Sequence, residues 1–230
     1  MDYTNNIYNF LDGASKDHIK SLKQLLAKKM PQELYLHSLG TFEYSAMLAA
    51  RYISTFEEEE CAKGSVNKDS LKHRMGLKFY KLLVSSLIHD YAKIYDEETL
   101  AGIAMDKSLG LTEFESSCGP ILHGYVGPLI IKKELAIDDI EIGNSIRSHT
   151  TGSLKMNMLD RIVYISDKLE PSRNYRGVVK LRKISRESLD LCLLEVYKSN
   201  IIYVIMRNHT LHPDTSKIWN YICGGLKNAI

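Results

Sequence analysis

The sequence predicts an all-α fold. Apolar residues recur at three- and four-residue spacing over long stretches, and no segment sustains the period-two alternation of a half-buried strand. Only 5 prolines and 14 glycines interrupt 230 residues, so the helices have room to run. A first helix is expected over about Lys16 to Met30, stopped by Pro31, which is placed to open the next helix at its first turn. That second helix, roughly Pro31 to Ser54, carries Leu36, Leu39, Ala46, Ala49 and Ala50 among polar residues. The four glutamates Glu57 to Glu60 read as a solvated helix end, and Lys63 to Asp69 as a polar loop. Ser70 is the expected N-cap of a long helix with Leu71, Phe79, Leu82, Leu83, Leu87 and Ile88 at its apolar positions, ending near His89 and Asp90.

Shorter helical pieces follow around Asp96 to Leu109 and Thr112 to Cys118. Another is expected from Pro120 to Lys133, and Asp138 to Ser148 leads into His149. Asn157 to Glu170 is strongly patterned and is ended by Pro171. Leu189, Leu193, Val196 and Tyr197 continue through Ile201, Val204 and Ile205; the β-branched run has strand character, but it extends a helical stripe and is read as helix. Pro213 opens a last helix through Trp219 and Tyr221. With no internal repeat and no Pro/Ser-rich linker, the reading is a helical domain over residues 31–230 with residues 1–30 as an N-terminal helical extension.

Composition narrows the function classes. At 44% hydrophobic and 25% charged residues, the chain is neither disordered nor fibrous. Thirty Lys+Arg against 28 Asp+Glu leave +2, which gives no clustered positive footprint for duplex nucleic acid. Cys61, Cys118, Cys192 and Cys223 form no CxxC pair, so neither a zinc ribbon nor a dithiol redox motif is offered, and they read as reduced thiols. The N-terminal MDYTNNIYNF is not a signal peptide, and the apolar stretch Ile201 to Met206 is far too short to span a bilayer. A cytoplasmic protein without a membrane partner is expected.

The residues that can do chemistry are imidazoles and carboxylates on otherwise apolar helices. His37 has Leu36 and Leu39 near it, His89 and Asp90 follow the run LLVSSLI, and Asp167 ends the segment IVYIS. A carboxylate in such a place is costly unless paired or metal-bound. Taken singly, each has an ordinary reading: a core histidine, or for Asp167 a helix cap or a partner of Lys168 or Arg173. Taken as an ordered set, two imidazoles and two carboxylates from three helices suit one divalent ion such as Fe, Mn or Zn, with positions left for water.

The ordered set His37, His89-Asp90 and Asp167 resembles the metal motif of the HD-domain phosphohydrolases. The segments LIHDYAK (87–93), ILHGYVG (121–127), HTTG (149–152), MLDRIVYISDKLEPSRNYRGVVKLR (158–182) and HPDT (212–215) are similar to the YqeK branch of that superfamily, the symmetrical bis(5'-nucleosyl)-tetraphosphatases. The resemblance covers about Leu34 to Tyr221. It implies an HD-domain helical bundle that hydrolyses diadenosine tetraphosphate and related dinucleoside polyphosphates to two ADP by attack of a metal-bound hydroxide. The readings it leaves open are another HD-type nucleotide phosphohydrolase and a dinucleotide-sensing protein without turnover.

By the same resemblance His37, His89, Asp90 and Asp167 are metal ligands, for iron above manganese or another divalent ion, with one or two ions bound. Asp90, His123, His149 and Lys93 are the implied catalytic residues, Asp90 also as a bridge should a second ion bind. Substrate contacts are assigned to His123, His149, Thr150, Arg173 and the stretch Thr210, Leu211, His212, Pro213, Asp214 and Thr215. Arg173 can hold phosphate oxygens bidentately. The chain departs from the family in having Leu34 where a basic residue is usual, Leu36 where an acidic residue is common, and an inserted segment at about residues 57–76 between the first two ligand histidines. The expected partner is a small-molecule dinucleotide, and a homodimer is left open.

Overall fold

The structure, a computed structural model, describes residues 3–64 and 67–227. Among the described residues there are helices and no strand. The chain begins with a short helix, α1 (Tyr3–Tyr8), that periodicity did not announce. Next comes α2 (Gly13–Lys29), which starts three residues earlier than expected because Asp12 accepts a hydrogen bond from the Ser15 N–H at 2.7 Å. Pro31 stands at the N-cap of α3 (Gln32–Arg51), outside the first turn.

The expected run to Ser54 stops at Tyr52. There the chain is tied to the turn at residues 185–188: Tyr52 Oη donates to the Ser185 carbonyl at 2.9 Å, and Arg51 Nε donates to that of Arg186. Helix then resumes as α4 (Ile53–Ala62). Glu58 and Glu59 on α4 are exposed, as a solvated helix end requires, but Glu60 is buried and paired with Lys63. Asn67, rather than Ser70, caps α5 (Lys68–Ile88), because its Oδ1 accepts from the Ser70 N–H at 2.8 Å.

After α5 a 3-10 turn at Tyr91–Ile94 leads to α6 (Glu97–Ala104) and α7 (Glu113–Ser117), the latter closed by a Thr112–Glu115 capping box. Three longer helices follow: α8 (Gly119–Leu135), α9 (Ile140–Thr151) capped by Asp139, and α10 (Met158–Leu169) capped by Asn157. A second unannounced helix, α11 (Val178–Ile184), precedes α12 (Leu189–Met206), and α13 (Thr215–Lys227) starts two residues beyond Pro213.

The helix α10 lies at the centre, packed against α3, α5, α9 and α12, with Ile162, Val163, Ile165 and Leu169 inaccessible. Helices α8 and α9 approach closely because Gly127 has no side chain; a Cβ there would stand 2.9 Å from Ile146 Cγ2. Residues 1–30 contribute to the same core: Ile7, Leu11, Ile19, Leu22 and Leu26 are buried, with α1 on α3 and α2 on α3 and α5. No helix among the described residues is long and apolar enough to cross a membrane.

Candidate metal centre

Five helices deliver polar side chains to one point of this apolar interior. His37 comes from the second turn of α3, His89 and Asp90 from the end of α5, His123 from α8, His149 from the last turn of α9, and Asp167 from α10. His89, Asp90, His123, His149 and Asp167 are buried, and His37 nearly so. One ligand atom from each of His37, His89, Asp90 and Asp167 falls within a 4.8 Å sphere of mutual distance. His37 Nε2 stands 3.2 Å from His89 Nε2, 3.0 Å from Asp167 Oδ1 and 3.6 Å from Asp90 Oδ2. His89 Nε2 is 3.5 Å from Asp90 Oδ2 and 3.6 Å from Asp167 Oδ1.

These spacings fit a metal ion. Donors about 2.1 Å from a common ion lie about 3.0 Å apart at octahedral angles and about 3.4 Å apart at tetrahedral ones. The orientation of the rings agrees. His89 Nδ1 faces the Ser86 carbonyl at 2.9 Å, and His37 Nδ1 faces Glu170 Oε1 at 3.1 Å. Each partner is an acceptor that takes an Nδ1 proton, which leaves Nε2, facing the Asp90 and Asp167 carboxylates, as the nitrogen for a cation standing between them. Nitrogen and oxygen donors without thiolate suit a divalent ion of intermediate softness.

A second triad shares one member with the first. Asp90, His123 and His149 also bring ligand atoms together within 4.8 Å. Asp90 Oδ2 faces His37 and His89, while Oδ1 lies 3.3 Å from His123 Nε2 and 3.2 Å from His149 Nε2. The two imidazole nitrogens are 3.2 Å apart, and His149 Nδ1 is fixed by the Ile146 carbonyl at 2.6 Å.

The charges are set by burial and by neighbours. Burial raises the pKa of Asp90, but His89, His123, His149 and Lys93 outweigh it and hold the carboxyl well below the usual range. Asp167 behaves alike, with burial opposed by Lys168, His37 and His89. Burial pulls His149 down to about 4 and lowers His123, keeping both rings neutral near pH 7. For His37 burial lowers the pKa, but hydrogen bonds to Asp167 and Glu170 outweigh it and the result is raised.

A cleft of about 710 Å³ opens beside the first cluster. Asp167, Lys93, Thr150 and Arg173 line its inner wall, and Thr210, Leu211, His212 and Thr215 line its far side. Lys93 Nζ is 2.7 Å from Asp90 Oδ2, and Arg173 Nη2 is 2.6 Å from Asp167 Oδ1. The structure does not bring all expected substrate contacts here. Pro213 faces a separate apolar groove and Asp214 a polar recess, with His212 as the wall between them and the cleft. His212 stands there because the Asp214 N–H donates to its Nδ1 at 3.1 Å while Tyr125 Oη meets its Nε2 at 3.2 Å.

Glu170 escaped the sequence reading of the centre, and Lys168 entered it only as an ordinary partner of Asp167. Lys168 Nζ bonds Asp167 Oδ2 at 2.7 Å and the His149 carbonyl at 2.6 Å, joining α10 to α9. Glu170, at the C-cap of α10, is the partner of His37. The only signal for Glu170 was its place within the segment SDKLEPSR, three residues beyond a ligand.

Comparison with known proteins was made on sequence and on structure. No family model matches the chain. The protein of Staphylococcus aureus (strain NCTC 8325 / PS 47) named symmetrical bis(5'-nucleosyl)-tetraphosphatase is 28% identical over 206 residues, 89% of this chain and 94% of that one. Proteins of the same name from Bacillus subtilis (strain 168) and Halalkalibacterium halodurans are 27% and 25% identical, over 67% and 86% of this chain and 83% and 94% of theirs. A crystal structure from Clostridium acetobutylicum, of a protein described as a predicted HD superfamily hydrolase involved in NAD metabolism, superposes with a TM-score of 0.72 at 29% identity. It covers 89% of this chain and 96% of the other. The chain is therefore a homologue of the symmetrical bis(5'-nucleosyl)-tetraphosphatases, carrying the fold of the HD-superfamily hydrolases.

Proposed function

We propose that the protein is a metal-dependent hydrolase that splits diadenosine tetraphosphate symmetrically into two ADP. The observation that carries this reading is the sharing of Asp90 between two ligand clusters beside a cleft with cationic walls. The names of the homologues supply the substrate class. His37, His89, Asp90 and Asp167 would hold a first divalent ion, iron being our assignment, and Asp90, His123 and His149 a second. At such a site these residues would let a bound ion supply Lewis-acid polarisation of a phosphoryl oxygen and a water acidified from about 15.7 to about 7.

The chain's own groups do the rest. Lys93, Lys168, Arg173 and Arg176 on the cleft wall offset the negative charge of a polyphosphate in an otherwise nearly neutral protein. Arg173 presents a planar fork to phosphate oxygens, and Lys93 a compact ammonium within reach of Asp90. His149 is kept neutral by burial, and its Nδ1 contact with the Ile146 carbonyl sets the ring so that Nε2 faces Asp90 and His123. Apolar side chains of α12, Val196 and Ile201 among them, also line the cleft and offer an apolar surface to a nucleoside.

The test is incubation of the metal-loaded protein with diadenosine tetraphosphate, separation of the nucleotides and elemental analysis of the protein. ADP as the sole adenine product is expected, and equal AMP and ATP would refute symmetric cleavage. His89→Ala and Asp90→Ala should each lose bound metal and lower kcat/KM by at least two orders of magnitude. Retained turnover in both variants refutes the ligand assignment.

A further inference from the structure

The three imidazoles with a fixed Nδ1 do not use the same kind of partner. His89 and His149 rest on main-chain carbonyls of their own helices, whereas His37 rests on a carboxylate 133 positions away. That carboxylate is firmly seated. Glu170 is 1% exposed, its Oε2 accepts from the Ser172 N–H at 2.8 Å, and Oε1 accepts from the Ser172 hydroxyl as well as facing His37. Its space is made on the helix of its partner: a Cβ on Gly40, three residues beyond His37, would stand 2.4 Å from Glu170 Oε2.

The main chain around Glu170 is held separately. Arg182, on α11, donates from Nε to the Leu169 carbonyl at 2.8 Å and from Nη2 to those of Glu170 at 2.7 Å and Arg173 at 2.8 Å. One guanidinium thus gathers three carbonyls of the turn where α10 ends. The same turn carries Arg173, so Arg182 sets the position of both an inner carboxylate and a cleft cation.

We propose that Glu170 is a positioning residue that fixes the Nδ1–H tautomer of His37 and so presents its Nε2 to a divalent cation, with Arg182 holding the turn that carries it. A carboxylate partner also raises the basicity of the ring it accepts from, which strengthens the nitrogen as a ligand. The inference rests on the reading of the cluster as a metal site.

The test is titration of the metal-stripped full-length protein with Mn2+, free ion being read by electron paramagnetic resonance. Glu170→Ala is expected to weaken Mn2+ binding ten- to hundred-fold, the range for loss of such a partner, and Glu170→Gln to weaken it less. In a His37→Ala background, Glu170→Ala should change the affinity less than twofold, because its effect passes through His37. Long-range 1H–15N spectra of the Zn2+-loaded protein should show a protected His37 Nδ1–H with Nε2 unprotonated, and that Nδ1–H signal should be lost to exchange in Glu170→Ala. Wild-type affinity in Glu170→Ala, or the same loss with and without His37, would overturn the assignment. Should Glu170→Ala fail to fold, Glu170→Gln carries the same comparisons. A wild-type chain that binds neither Mn2+ nor Fe2+ removes the metal reading itself, whereas binding that ignores Glu170 removes only the positioning role.

Discussion

His37 and Glu170 meet only because α3 packs across the end of α10, and that meeting separates what single residues disclose from what they conceal. A histidine or aspartate on an apolar helix is conspicuous in a sequence, since burying it is costly without a partner. That is why His37, His89, Asp90 and Asp167 stand out from the amino-acid order alone. Glu170 follows the end of a helix, where an acidic residue is unremarkable, and its partner is 133 positions away. Gly40 is equally mute, because nothing local demands a glycine in the middle of α3. Its replacement is correspondingly informative. Gly40→Ala places a methyl in contact with the Glu170 carboxylate, so the carboxylate must shift, and a roughly tenfold loss of metal affinity is expected with helix content unchanged. Calorimetric metal titration beside far-ultraviolet circular dichroism checks both halves of that statement.

At the scale of elements, periodicity located most helices to within a few residues, since each long helix has one buried stripe. It failed where tertiary contacts set the boundary. The break at Tyr52 is made by hydrogen bonds to Ser185 and Arg186, and the short α11 packs on α12 and carries a guanidinium clamp rather than a long apolar stripe. The N-terminus of α10 holds a second buried carboxylate. Asp160 is 3% exposed, its Oδ1 has no hydrogen-bond partner, and burial raises its pKa to about 6 against hydrogen bonding from Asn157. With a folded-state pKa above the unfolded value of 3.8, the native state binds the extra proton between those limits. Its contribution to stability is therefore lost as pH rises from about 4 to 6, by up to about 3 kcal/mol. Asp160→Asn removes the titration, so the wild type should gain stability relative to the variant as pH falls from 7 to 4.5. Urea melts at the two pH values measure it, and a pH-independent difference would show that Asp160 is not titrating.

At the scale of the whole molecule, residues 1–30 read as an appendage in the sequence, because no motif there continues those of the remainder. In the fold the side chains of Ile7, Tyr8, Phe10, Leu11 and the inner face of α2 sit among those of the other helices. Tyr8 meets Phe42 edge-on, Phe10 meets Phe79 in the same way, and Lys23 lies 3.6 Å from the centre of the Phe42 ring. Burying each of Ile7, Leu11, Ile19, Leu22, Leu26 and Met30 contributes about 1.5–3 kcal/mol. Together that is comparable with the whole net stability of a domain, about 5–15 kcal/mol. A chain lacking residues 1–30 should show no cooperative thermal transition by calorimetry, and a sharp transition near that of the full chain would refute the shared core.

The donor atoms of the centre have one further consequence. Four imidazoles and two carboxylates converge there, and the imidazoles add no negative charge. A cage of carboxylates would neutralise its cations and leave them indifferent to anions. Here the ligands themselves would supply two negative charges however many ions they held, and Lys93, Lys168 and Arg173 already pair with those two carboxylates, so a cation beyond the first would stand uncompensated by its ligands. The missing counter-charge has to come from what enters the cleft, and oxygens of a polyphosphate are the kind of anion that brings it. The parsimony of acidic ligands makes the centre incomplete until an anion arrives, which turns a choice of side chains into a preference for substrate.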